Sequence, residues 1–155
     1  NGCAAIQDVE TTAGRADLQV LDFDPSSDEF AQFSIAMPKS WDEGTVTASF
    51  YWTNMNAVTD AAVWTLEGVA VADSDTIPAS FGSSQVIADA FGGAAKDLAI
   101  SAATPAVTIG GSPAAGELCF FQISRFATDA ADDLATDARL IGLKMVYTTD
   151  AITDA

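Results

Sequence analysis

Residues 45–53, TVTASFYWT, constrain this chain more than any other stretch. Val46, Ala48, Phe50 and Trp52 alternate there with Thr45, Thr47, Ser49, Tyr51 and Thr53. A strand turns successive side chains to opposite faces, so this period predicts one buried and one wet face. Half-buried strands belong to antiparallel sheets, and their apolar face needs a second layer over it. The stretch therefore predicts a β-sandwich or barrel. It specifies no chemistry.

The rest of the chain agrees. Residues 1–16 are small and polar, with Gly2 and Gly14, and read as a lead-in arm before a single domain at 17–155. Strands are expected at 18–23 and across FAQFSIAM, where Phe33, Ile35 and Met37 share a face until Pro38 stops it. Asp42, Glu43 and Gly44 read as a tight turn into the anchor strand. Residues 62–72 form a long strand with Trp64 and Leu66 on one face, and Gly68 marks a bulge or a bend between sheets. Shorter strands are expected at 86–91 and 98–101. In 117–126, Cys119, Phe121 and Ile123 face the core. In 139–148, Ile141, Leu143, Met145 and Tyr147 share one face. Residues 130–135 suggest a single helical turn. Eight or nine short strands between turn signals predict an all-β, antiparallel β-sandwich, with a jelly-roll order favoured over an immunoglobulin one.

Charge removes several functions. With 22 acidic and 6 basic residues the formal charge is −16, and no basic stripe exists. Phosphates repel such a surface, which disfavours nucleic acid, and anionic membrane surfaces are disfavoured in the same way. No apolar run approaches the roughly 20 residues that a membrane-spanning helix needs. The sequence contains no histidine, which excludes histidine triads, ligands and pH switches. Two cysteines, Cys3 and Cys119, are too few for a disulfide framework or a zinc site, and spacing cannot establish a bridge between them. The chain starts at Asn1 rather than Met and reads as a processed product or a fragment.

Three chemistries remain to be weighed. Asp-rich loops, DFDPSSDE at 22–29, DSD at 73–75 and DAADD at 129–133, offer clustered oxygens of the kind Ca²⁺ takes. Asp73, Asp75, Asp129, Asp132 and Asp133 are the candidate ligands. None has EF-hand spacing, and solvated turns fit them equally well. Paired carboxylates can hydrolyse glycosides, but only Glu67 and Glu117 lie in or beside strands, and no nucleophile motif accompanies them. Among the aromatics, parity sends Trp52 and Trp64 to the core. Trp41 and Tyr51 remain as candidate exposed rings for stacking on a sugar. No catalytic residue and no obligatory cofactor emerges.

The blocks LDFD, AQFSIAMPKSWDEGTVTASFYWT, AVWTLEGVAV, PAAGELCFFQISR and ARLIGLKMVYTTDAITDA, in this order, resemble a family of tailed-bacteriophage virion structural proteins from phages and prophages of marine and soil proteobacteria. The resemblance spans nearly the whole chain, and the family has no catalytic residues to carry over. It implies a short segment upstream of the NGCAA start. It also implies a particle component: a capsid decoration protein, a head or tail fibre domain, or an adhesive tip that binds a host-surface glycan. Such a part would be assembled in the host cytoplasm and carried on the virion. A homo-oligomer, trimer or pentamer, packed on other capsid or tail proteins is the implied setting.

Overall fold

A computed structural model of the chain describes residues 2, 3, 5–77 and 79–150. Asn1 and Ala4 of the expected lead-in, Pro78, and residues 151–155 of the expected domain lie outside the described residues. Nine strands and no helix are found among those described: β1 (Gln7–Val9), β2 (Leu18–Phe23), β3 (Glu29–Ala36), β4 (Trp41–Thr53), β5 (Ala61–Val71), β6 (Gln85–Ala90), β7 (Ala99–Ile100), β8 (Leu118–Arg125) and β9 (Ala138–Thr149). They form two antiparallel sheets, in the orders β1-β2-β9-β4-β7 and β3-β8-β5-β6. The all-β antiparallel sandwich is as expected.

The pairing has a simple logic. β2 pairs β9, β3 pairs β8, β4 pairs β7 and β5 pairs β6, so the chain from β2 to β9 is one long antiparallel ribbon. The ribbon is bent so that its rungs alternate between the sheets, and β4·β9 and β8·β5 pairing close each sheet. Long ladders with large sequence separation result, because each sheet joins strands from both arms of the ribbon.

Between the sheets lies an aromatic core. Val46, Ala48, Phe50 and Trp52 are buried, as their alternation predicts. The Phe50 ring stacks on Trp64 at 5.4 Å, Phe23 meets Trp64 edge-on at 5.3 Å, and Trp52 lies 6.0 Å from it. These offset and edge contacts suit ring quadrupoles and add about 0.5–1.5 kcal/mol each beyond burial. The indole N–H of Trp52 donates to Asp89 at 2.7 Å, so this ring is buried with its polar atom satisfied.

Several local expectations are corrected. The lead-in is not wholly loose: β1 pairs β2, and Gly2 bridges Phe30. Asp42, Glu43 and Gly44 lie within β4, at a register shift between Trp41 and Val46, with Glu43 at φ 61°. The irregularity sits inside a strand, so turn-type residues there mark a bulge and not an end. Gly68 sits in an unbroken β5·β8 ladder opposite Phe121, and a Cβ there would come within 2.8 Å of that ring. It seats the ring and bends nothing. Residues 130–135 form turns and no helix. In the row expected to be wet, Ser49 and Thr53 are buried. The 101–107 segment runs along β4 there, with Ser101 and Thr104 hydroxyls accepting from the Phe50 and Ala48 amides. Finally, Ile141 is skipped between the pairs Tyr51↔Gly142 and Trp52↔Leu140. The slip reverses parity, so Leu140 and Ala138 join the core below Leu143 and Met145.

One charged residue is built into this core. Arg125 continues the inward row Cys119, Phe121, Ile123 and is fully buried. Its guanidinium pairs in bidentate fashion with Asp132, Nε at 3.0 Å and Nη2 at 2.7 Å. It also donates to the carbonyls of Phe23, Thr136 and Leu134. Asp132 takes a further bond from the Val63 amide at 2.9 Å. All five guanidinium N–H groups are therefore used, the condition under which a buried ion pair is tolerated. Removing one partner strands the other: Arg125→Met or Asp132→Asn is expected to cost about 3–5 kcal/mol in urea unfolding. Gly68→Val is expected to cost about 1–3 kcal/mol by the same assay, through overpacking against Phe121. Losses within a few tenths of a kcal/mol would contradict both assignments.

Candidate functional site

An apolar concavity begins where two strands part. β2 pairs β9 over Leu21↔Leu140, Asp22↔Arg139 and Phe23↔Ala138. Beyond the bulge at Ile141 the ladder stops, and Leu18, Gln19 and Val20 are held by β1. The divergence opens a groove of about 460 Å³ into the sandwich. Phe33 and Ile35 of β3 and Ile123 of β8 line it on one side, Leu143 and Met145 of β9 on the other. Ile6 stands in the lining with 67% of its surface exposed, and Ile35 is 39% exposed. No lining residue carries an ionisable side chain, on a chain of charge −16.

An acidic hollow adjoins it. Gln19 lines both the groove and a second concavity of about 410 Å³ whose lining includes Asp8, Glu10 and Asp17. Gln19 Nε2 donates to Asp8 Oδ1 at 3.0 Å, which ties the hollow to β2. Apolar and acidic surfaces thus meet at one side chain.

The residues singled out from sequence do not gather here. Trp41 is fully buried, which overturns its reading as an exposed stacking ring. The bulge after it turns the indole inward, and no partner for its N–H is found among the described residues. Tyr51 is half-buried, in a cross-strand row with Ile100 and Gly142. The aspartates do not converge on a cation. Asp75, Asp129 and Asp133 accept from the amides of Ala72, Ala131 and Ala61, and Asp132 is committed to Arg125. Asp73 lies exposed in the turn after β5. Among the described residues no group of three or more Cys, Asp or Glu side chains is placed to hold a metal ion. Glu67 bonds to Gln122, and Glu117 to the Ala114 amide. Glu67 stands opposite Gln122, five positions along β8 from Glu117, or roughly 17 Å at strand rise. Glycoside hydrolysis needs about 5–9.5 Å between its carboxyls, so this pair does not assemble. Cys3 and Cys119 are both free thiols. Burial, with Glu117 adding to it, pushes Cys119 up to about 11, so it is no nucleophile at neutral pH.

The alternation places Phe33 with Ile35 on one face, Leu143 with Met145 on another, and Ile123 toward the core, and all five line the groove. What it missed is that the layer above them opens. The Gly142 position beside Ile141 was the available sign of a bulge, since glycine inside a strand often marks one. Arg125 was missed too, although extending the parity of Cys119, Phe121 and Ile123 by one step places it inward.

Comparison with protein-family models, with curated proteins and with solved structures finds no match for this chain.

Two carboxyls have a measurable consequence. Burial holds Asp22 above the ordinary carboxylate range, with Arg139 pulling it back and Asp137 pushing it further. Glu67 is raised by burial, offset by its bond from Gln122. A folded-state value above the unfolded one means the folded chain binds more protons in that window. Stability therefore rises as pH falls through it. Asp24, held low by the Ser26 hydroxyl and amide, stays ionised across the same range. The thermal midpoint is expected to rise as pH falls from neutral toward the ordinary carboxylate range, also because self-repulsion shrinks. Asp22→Asn with Glu67→Gln should flatten the rise in a melting series followed by circular dichroism. A midpoint that falls steadily over this interval would contradict the assignment.

Proposed function

We propose that this chain is a non-enzymatic structural component of a tailed-phage particle, a capsid decoration protein or a head or tail fibre domain. It acts by packing against itself and neighbouring virion proteins. Its fold is proposed as a jelly roll, since one antiparallel ribbon with rungs alternating between two sheets is how such a fold is wound. The observation that carries the reading is the charge-free groove on an acidic sandwich. A large apolar surface rimmed by polar residues fits a protein partner better than it fits bond-making chemistry. The ordered sequence blocks quoted above supply the phage context, and with it the virion location and a trimeric or pentameric setting.

A second reading, host-glycan adhesion, has one remaining support: the Tyr51 ring in a row with Ile100, whose side chain is 52% exposed. A flat apolar sugar face packs on such a surface.

Cryo-electron microscopy of purified particles from cells carrying this sequence tests both. Regular placement on the head lattice is expected for decoration, and placement in a fibre shaft for a fibre domain, in each case with the groove against a neighbour. Placement at a tail tip, with glycan-array binding abolished by Tyr51→Ala, would move the assignment to adhesion. Absence from every particle would overturn the proposal.

A further inference from the structure

The hydrogen bonds of β4 reveal which way the backbone of β9 faces. Val46 exchanges two bonds with Val107, Ala48 bonds to Thr104 in both directions, and Phe50 to Ser101 likewise. Those three residues therefore turn their N–H and C=O groups away from β9. In an antiparallel ladder such groups alternate in direction, so Thr47, Ser49 and Tyr51 are the ones that bond β9, through Val146, Lys144 and Gly142. It follows that Leu143, Met145 and Tyr147 aim their backbone groups to the opposite side. That side is the groove. β2 has already left the ladder after Leu140, and no described residue pairs with these three.

β9 thus presents three N–H and three C=O groups in a row, those of Leu143 and Met145 along the apolar groove and those of Tyr147 just past its lining. Unpaired edge groups template the addition of another strand, and pockets beside the edge receive its alternate side chains. The groove lies between the β1–β2 ribbon and β9, so a segment seated in it would run beside the β9 edge. Asp8, Glu10 and Asp17 sit at the Gln19 end, where they favour a positive flank. A second copy of this chain, of charge −16, suits that acidic end less well than a basic segment does, so its packing against itself is left to other faces.

We infer that the groove takes one extended segment of a partner protein, apolar at alternate positions and basic at the end that meets Gln19, which joins the sheet as a strand on the free edge of β9. The inference rests on the groove being a packing surface, and its test separates the two, because strand addition moves particular amides and groove filling alone does not.

The test is amide hydrogen exchange by NMR on the full 155-residue chain, first free and then with a short peptide of alternating valine and threonine carrying paired lysines at each end, so that either orientation presents a basic end. In the free chain, Gly142, Lys144 and Val146 should exchange slowly, and Leu143, Met145 and Tyr147 fast. With peptide present, the latter three are expected to slow by about tenfold or more. The same peptide with glutamates in place of its lysines should bind about tenfold more weakly, and the gap should narrow in D8N/E10Q/D17N. Binding that shifts Phe33 and Met145 side-chain signals without slowing the three amides would overturn strand addition while keeping the groove as a packing surface. No binding by about 1 mM peptide would overturn both. Protection of the three amides in the free chain, together with a dimer in sedimentation, would assign the edge to a second copy and overturn the partner proposed here.

Discussion

A guanidinium with no exposed surface ties this sandwich together at one end. Arg125 sits at the last residue of β8 and reaches the carbonyl that ends β2, the 132–136 loop and, through Asp132, the start of β5. Desolvating both charges is expensive, and their mutual attraction repays it only when every remaining donor and acceptor is met. Here each donor finds an oxygen. The consequence is positional: with the 132–136 loop pinned, β9 enters at Ala138 opposite Phe23, and Leu140 falls opposite Trp52. The aromatic cluster around Trp64 is assembled on that register.

The opposite behaviour appears along the flank. Where Arg125 holds β2 and β9 together the ladder is complete, and a few residues away the bulge at Ile141 releases it. Three edges of the two sheets are short or partly covered: β7 has two residues, β1 has three, and β3 meets Gly2 and Cys3 at Phe30. Native sheets blunt their edges in such ways because bare ones invite association. The inner half-edge of β9 is treated differently, lined with apolar side chains and left free of acid. The chain as a whole carries a charge of −16, and a net charge far from zero favours solubility. Net charge and groove thus set an uncharged apolar lining on a strongly acidic chain.

How far the residues could be read varies with the range of the cause. Val46, Ala48, Phe50 and Trp52 declare their burial by alternation, and Cys119, Phe121 and Ile123 do the same. Trp41 misleads because its orientation depends on a bulge three residues on, and a one-residue slip turns a side chain to the other face. Leu140 misleads for the same reason at Ile141. Ser49 and Thr53 look solvent-facing from their neighbours, yet a segment some fifty residues later lies over that part of β4. Asp132 looks like one more carboxylate in an acidic loop until Arg125 is brought beside it.

Local alternation, turn residues and composition were enough to determine an antiparallel two-layer protein with its main core residues, and a net charge of −16. These properties depend on each residue and its near neighbours, where a period of two and a charge count are sufficient. The tertiary structure alone decided the winding of the ribbon, the buried Arg125–Asp132 pair and the groove where β2 leaves β9. Each of these comes from segments far apart in the chain meeting at a particular register, and register is set by long-range pairing and bulges that no local pattern carries.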